Sequence, residues 1–118
     1  MFLIGVSQIT LLEDDDVLIE AIGGKGFGVR TMLSEIPPGA DPLSADNVFI
    51  IATGPATGTR MWGQSRFGVY TKSPATGGFG ESYCGGTLAP KIKGCGFDFL
   101  IIKGRAGGYR RRNNQADA

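Results

Sequence analysis

The sequence contains no histidine. That absence removes the Ser-His-Asp and Cys-His nucleophile systems and every imidazole-based metal site. Cysteine is nearly as scarce: Cys84 and Cys95 are the two, eleven apart. The spacing is not CxxC, and two thiolates alone cannot complete a zinc or iron–sulfur site. Each reads as a lone buried thiol. Redox chemistry involving this chain therefore needs an electron carrier whose ligands come from elsewhere. Net charge is also small, +1 from 12 basic and 11 acidic residues, so no global field draws nucleic acid or an anionic membrane. No apolar run approaches the roughly 20 residues needed to span a bilayer. The apolar start, Met1 to Val6, is too short for a secretory h-region and lacks a basic lead. The expectation is a cytoplasmic protein with neither nucleic acid nor membrane among its partners.

Glycine is what the chain has in excess. It accounts for 20 of 118 residues, against a usual share of roughly 7%. Each glycine costs extra chain entropy on folding. The chain must either use them for special backbone geometry or gain stability from a ligand or partner. Length and a hydrophobic content of 42% suit one small domain with a core. Nearly half of the glycines lie between Thr53 and Gly86, TGPATGTRMWGQSRFGVYTKSPATGGFGESYCGG. Pro-Ala-Thr-Gly occurs there twice, at 55–58 and 74–77. One strand-like run, Phe67 to Thr71, lies between the two turns, with Arg66 at its start and Lys72 at its end. Such a stretch offers backbone N–H groups, two cations and few bulky side chains, a surface suited to a phosphate-bearing cofactor. Composition alone favours ordinary tight turns in a β-rich domain. Trp62, Phe67, Tyr70, Phe79 and Tyr83 surround the glycines with rings, whose commonest use is core packing.

Taken in order, residues 2–12 read as a strand. Glu13 to Asp16 supply an N-cap and negative charge for a short helix over Val17–Ile22, with Gly23 as its C′ residue. Gly23-Gly24-Lys25-Gly26-Phe27-Gly28 resembles a nucleotide loop, but GxGxxG would need glycine at position 29, which is Val29, and there is no GxxxxGK[ST]. A helix follows over about 27–36, with Phe27, Met32, Leu33 and Ile36 roughly on one face, and Pro37-Pro38-Gly39 stops it. Asp41 to Asn47 form a turn-rich connector. Val48 to Ala52 read as a buried strand. Lys91-Ile92-Lys93, after Ala89-Pro90, is either a short helix or a loop. Phe97 to Lys103 read as the last strand. Residues 107–118 have almost no apolar content and read as a disordered basic and polar tail, whose three arginines are most simply solvated.

Three segments then carry a resemblance: GGKGFGVRTMLSEIPPGADPLSADNVFIIATGPATGT, RFGVYTKSPATGGFGESYCGG and KGCGFDFLIIKGRA. Over about residues 13–106 they resemble the N-terminal domain of the aldehyde ferredoxin oxidoreductase family, tungsten (sometimes molybdenum) bis-pterin enzymes. Several unrelated landmarks fall in the family's order: the double-glycine loop, the PPG stop, the DPL turn, ATGPATGT, R-x-x-V-x-TKSP-x-TG, the GG pair and the GFD strand. The resemblance implies an α+β fold of mainly antiparallel strands with one or two helices, half of a two-fold-repeated domain. Strands are expected near 2–12, 48–52, 67–71 and 97–103. The partial cofactor-binding domain then spans 1–106.

The resemblance also implies site residues. In the family this domain is the base on which two pterin-dithiolene cofactors sit, holding the metal through four sulfurs. Arg66 resembles the arginine between a pterin and the nearby [4Fe–4S] cluster. Tyr83 stands where the family has a cofactor-binding asparagine. If that contact is a main-chain carbonyl to a cofactor-bound magnesium, tyrosine supplies it; if the side chain matters, the site is weakened. Gly85 matches a family cofactor contact. No catalytic residue and no metal ligand is assigned to the chain. The cluster cysteines, a CxxCxxxC group plus a distant fourth, belong to later domains. Beyond Ala106 the family continues with further strands where this sequence turns polar, as expected of a truncated or frameshifted product, or of a subunit completed by a partner chain. The expected function is to cradle the cofactor of an oxidoreductase that converts small aldehydes to carboxylic acids with ferredoxin as acceptor, the isolated chain being inactive. The alternatives are a noncatalytic module for a phosphorylated ligand and a nonfunctional fragment.

Overall fold

The computed structural model describes residues 15–105. The strand expected over 2–12 and the tail expected from 107 lie outside the described residues. The element order is α1 (Asp15–Ala21), α2 (Gly24–Glu35), β1 (Val48–Thr53), β2 (Phe67–Lys72), β3 (Phe79–Cys84), α3 (Leu88–Gly94) and β4 (Phe99–Lys103). The four strands form one sheet in the order β3-β2-β1-β4, antiparallel at every pairing. This is the α+β architecture expected from the sequence.

The inner strand β1 explains how the sheet is faced. Val48, Ile50 and Ala52 alternate onto one side and are buried, as is Tyr70 of β2, directly opposite Ile50. Helix α2 lies over this side, contributing Phe27 and Met32 to the same core. Phe27 stacks on Phe99 of β4 with ring centroids 3.7 Å apart. Each such aliphatic or aromatic side chain withdrawn from water contributes roughly 1.5–3 kcal/mol. The other side carries Phe49, Leu100 and Ile102, all still about 40% exposed. Helix α3 buries Ala89 and Ile92 and contacts β1.

Tyr70 sets the distance between helix and sheet. A Cβ on Gly28 of α2 would lie 2.4 Å from the Tyr70 ring, and one on Gly68 would lie 2.0 Å from its hydroxyl oxygen. Both positions must be glycine for the phenol to lie flat between them. Gly26 has a similar role: its Cβ would meet the Ala21 carbonyl of α1 at 2.5 Å. The GGKGFG run is therefore the first turn and a half of α2, with its glycines used for close packing.

Several expectations need correction. The helix starts at Gly24, three residues early, because packing offsets the roughly 1 kcal/mol that each glycine costs inside a helix. Leu33 faces solvent, while Phe27, Gly28, Thr31 and Met32 make the buried face. The left-handed position after α1 falls on Ile22 (φ 61°), one residue before Gly23, which caps α2. Residues 79–84 form a strand, β3, where the sequence suggested only turns. Residues 91–93 are helical within α3, with Pro90 in its first turn, where a missing N–H is harmless. The last strand begins at Phe99 instead of Phe97, because Phe97 still bonds back to the Ile92 carbonyl.

The connector between α2 and β1 is tied down by Asn47. Its amide donates to the carbonyls of Pro42 and Lys72, and its oxygen accepts from the Lys72 and Val48 amides.

Candidate functional site

The three residues singled out from the resemblance meet at one end of the β2–β3 pair. Phe67, the first residue of β2, pairs with Cys84, the last of β3, and Gly68 pairs with Tyr83. Arg66 precedes Phe67 and Gly85 follows Cys84, so they flank the last rung of the ladder. Arg66 is exposed, and no carboxylate pairs with it among the described residues. Around it the backbone lies open. A Cβ on Gly63, Gly85 or Gly86 would meet nothing within 4 Å, and Gly63 and Gly86 have φ of 75° and 103°.

The loop from Gly54 to Arg66 leads into this end and is internally bonded. Thr57 is buried, and its Oγ1 accepts from the Gly54 amide at 3.0 Å. Thr59 Oγ1 donates to the Ala56 carbonyl and accepts from the Met61 amide, and Gln64 accepts from the Gly58 amide at 2.8 Å. The loop presents Met61 and Trp62 to solvent, Trp62 entirely. Beside it, a cavity of about 190 Å³ opens between the α1–α2 turn, Pro55 and the start of β4, lined by the Lys93–Asp98 ion pair.

Lys72 does not join this group. It ends β2 at the opposite side of the sheet, and its ammonium donates to the Ala40 carbonyl at 2.6 Å. The two cations flanking the strand therefore differ, Lys72 bonded within the fold and Arg66 exposed. The aromatic expectation also divides: Tyr70 and Phe67 are core, whereas Trp62, Phe79 and Tyr83 are exposed. Cys84 and Cys95, expected to be buried, are both exposed. Cys84 ends an edge strand and Cys95 caps α3, places that no second layer covers. Among the described residues, no three His, Cys, Asp or Glu side chains gather as a metal site.

The Tyr83 side chain is engaged on the α2 side. Its hydroxyl donates to Glu81 Oε2 at 3.1 Å, and its ring stands edge-on to Tyr70 at 6.2 Å and 83°. The Lys25 ammonium reaches both Glu81 oxygens, at 3.1 and 2.8 Å, and lies 5.6 Å from the Phe79 ring centre. The hydrogen bond from Lys25, then that from Tyr83, holds the Glu81 carboxyl below its usual range. The same bond to Glu81 raises Lys25. Burial first, and then the neighbouring Tyr83 hydroxyl, pushes the Tyr70 phenol well above its ordinary value. Sequence reasoning missed Glu81 altogether, and took Lys25 only as part of a glycine loop. They lie 56 residues apart, and no local pattern joins them.

The family model described as "Aldehyde ferredoxin oxidoreductase, N-terminal domain" matches residues 6–108. A tungsten-containing aldehyde ferredoxin oxidoreductase of Pyrococcus furiosus is 37% identical over 93 residues, covering 79% of this chain and 15% of that protein. The aliphatic sulfonate oxidoreductase WOR-like subunit of the same organism is 33% identical over 104 residues, covering 86% of this chain and 16% of that one. Among solved structures, the active site complex BamBC of benzoyl coenzyme A reductase with 1,5-dienoyl-CoA superposes with a TM-score of 0.78 at 32% identity, over 82% of this chain and 15% of that one. The chain thus spans about 15% of the length of the proteins it matches.

Proposed function

The chain belongs to the aldehyde ferredoxin oxidoreductase family through that family's N-terminal domain, and from this premise we propose that it cradles the tungsten (or molybdenum) bis-pterin of an oxidoreductase. The observation that carries the reading is the convergence of Arg66 with Gly85 and Tyr83 at an open, glycine-lined end of the sheet. A bulky anionic pterin needs backbone to come close, which glycine permits. It also needs a cation able to hydrogen-bond in a planar fork, which Arg66 offers and lysine cannot. The residues present fit the group on these two counts. On this proposal the metal would need no ligand from this chain.

In this reading Arg66 would bind and orient one pterin, Gly85 would let it approach, and the main-chain carbonyl of Tyr83 would be an oxygen ligand offered to a cofactor-bound magnesium. When bound, the cofactor would supply the chemistry: aldehyde plus water to carboxylic acid, with two electrons released. Those electrons would leave through a [4Fe–4S] cluster to ferredoxin. The cluster and the aldehyde pocket belong, on this proposal, to polypeptide beyond the span matched here, in further domains or a partner chain. The protein orients the cofactor and tunes its surroundings, and the cofactor carries the reaction.

The test is Arg66→Ala. A charge-assisted hydrogen bond contributes about 1.5–3 kcal/mol, so retention of pterin should fall about tenfold or more. Unfolding midpoints should hardly move, since Arg66 is exposed. Unchanged retention would sink the role. Aldehyde-dependent viologen reduction by the purified 118-residue chain alone would overturn the division of labour.

A further inference from the structure

Helix α2 carries a lysine in its glycine-rich first turn, and the function proposed so far gives that lysine nothing to do. Its ammonium crosses to β3 and holds Glu81, and Glu81 in turn holds the Tyr83 hydroxyl. The Tyr83 ring is further fixed edge-on against the buried Tyr70. The three polar groups form a continuous chain along the helix side of the hairpin, one residue short of the open glycines at 85 and 86. We propose that Lys25 and Glu81 are positioning residues that hold the Tyr83 side chain against α2, so that residue 83 meets the cofactor with its main chain and the Tyr83–Gly86 backbone is fixed for that contact. This inference rests on the cradle reading for the identity of the ligand. The anchoring itself stands on the contacts alone.

The chemistry favours this division. An ionised carboxylate accepts from both a lysine and a phenol without conflict, using separate lone pairs. Were Tyr83 to swing toward the cradle, Glu81 would lose one donor and Tyr70 its edge-on neighbour. Glycine at 85 and 86 leaves the following backbone without side-chain restraint, so an upstream anchor has more to do here than it would in a strand with side chains at both positions.

Two readouts test the proposal on the full 118-residue chain. The first needs no ligand: amide hydrogen exchange at residues 83–86. An exposed ion pair of this kind stabilises only weakly, so Lys25→Met and Glu81→Gln should each speed exchange there about threefold, with β1 amides unchanged. Exchange at 83–86 equal to wild type in both variants would overturn the anchoring. The second is fluorescence titration with a free pterin phosphate in the presence of magnesium. Glu81→Gln and Tyr83→Phe should each weaken binding about threefold, and the double variant no further, because one acts through the other. Additive losses, or tighter binding in Glu81→Gln because a freed tyrosine reaches the ligand, would overturn the main-chain assignment. Arg66→Ala is the separate control. If it binds like wild type, the cradle reading fails, while the exchange result still decides the anchoring.

Discussion

Pro-Ala-Thr-Gly occurs twice, and the two copies end in different structural roles. Both begin two residues beyond a strand, β1 in one case and β2 in the other, and both place a glycine at positive φ, 85° at Gly58 and 69° at Gly77. In the first, Thr57 is buried and accepts from the Gly54 amide, and Gly58 lies against the Lys93 side chain. In the second, Thr76 is exposed, Gly77 faces open space, and the turn is closed by bonds between Ser73 and Gly77–Gly78. The first copy is part of the packing that leads to Arg66. The second is a hairpin tip. The same four residues dictate the same local bend, and their surroundings decide whether that bend supports a site or only reverses the chain.

Substitution should separate the copies. Thr57→Val should lower stability by about 2 kcal/mol, because the Gly54 amide loses its acceptor in a buried setting. Thr76→Val, at an exposed turn, should stay within about 0.5 kcal/mol. Equal losses in denaturant melts would erase the distinction. Glycine replacement should hardly divide them. Both sites require positive φ, so Gly58→Ala and Gly77→Ala should each cost about 1–2 kcal/mol. The two costs should be alike, because the new Cβ at 58 would only touch Lys93 at 3.5 Å, an ordinary van der Waals contact.

The smallest effect concerns the hairpin that the second copy closes, which Lys25 and Glu81 pin to α2. Glu81 has a folded pKa below its unfolded value. Its contribution is therefore present above the ordinary glutamate range and lost as pH falls through the folded value. Wild type should unfold at slightly higher temperature than Glu81→Gln near pH 6, and the two should converge as pH drops below about 4, near the ordinary glutamate pKa. A constant offset down to acid would mean that the carboxylate charge is not what holds the hairpin.

Much of the fold could be read from sequence, for physical reasons. Val48 to Ala52 is apolar at every position, as an inner strand flanked on both sides should be. Pro37 and Pro38 leave no doubt about where α2 stops, because neither ring permits another turn. β3 was hidden because it is an edge: nearly all of its residues are exposed, so no burial alternation marks it, and its pairing comes entirely from β2. The start of α2 was hidden because glycine argues against helix locally, and the reasons for Gly26 and Gly28 are an Ala21 carbonyl and a Tyr70 ring elsewhere in the chain. The site was legible only through family resemblance. Arg66, Tyr83 and Gly85 share no periodicity or motif of their own, and the register of β2 against β3 is what brings them together. Lys25 and Glu81 left no trace at all, being partners across 56 residues.

The Tyr70 phenol, flat between Gly28 and Gly68, has a consequence for how this sequence can change over generations. Neither glycine can gain a methyl group while the ring is present, and shrinking the ring first would leave a hole in the core. The three positions therefore constrain one another. A lineage that escapes the combination must pass through a damaged intermediate, and the order of its steps is constrained: the tyrosine must go before either glycine. The spacing between α2 and the sheet, on which Lys25 depends to reach Glu81, is held by this trio.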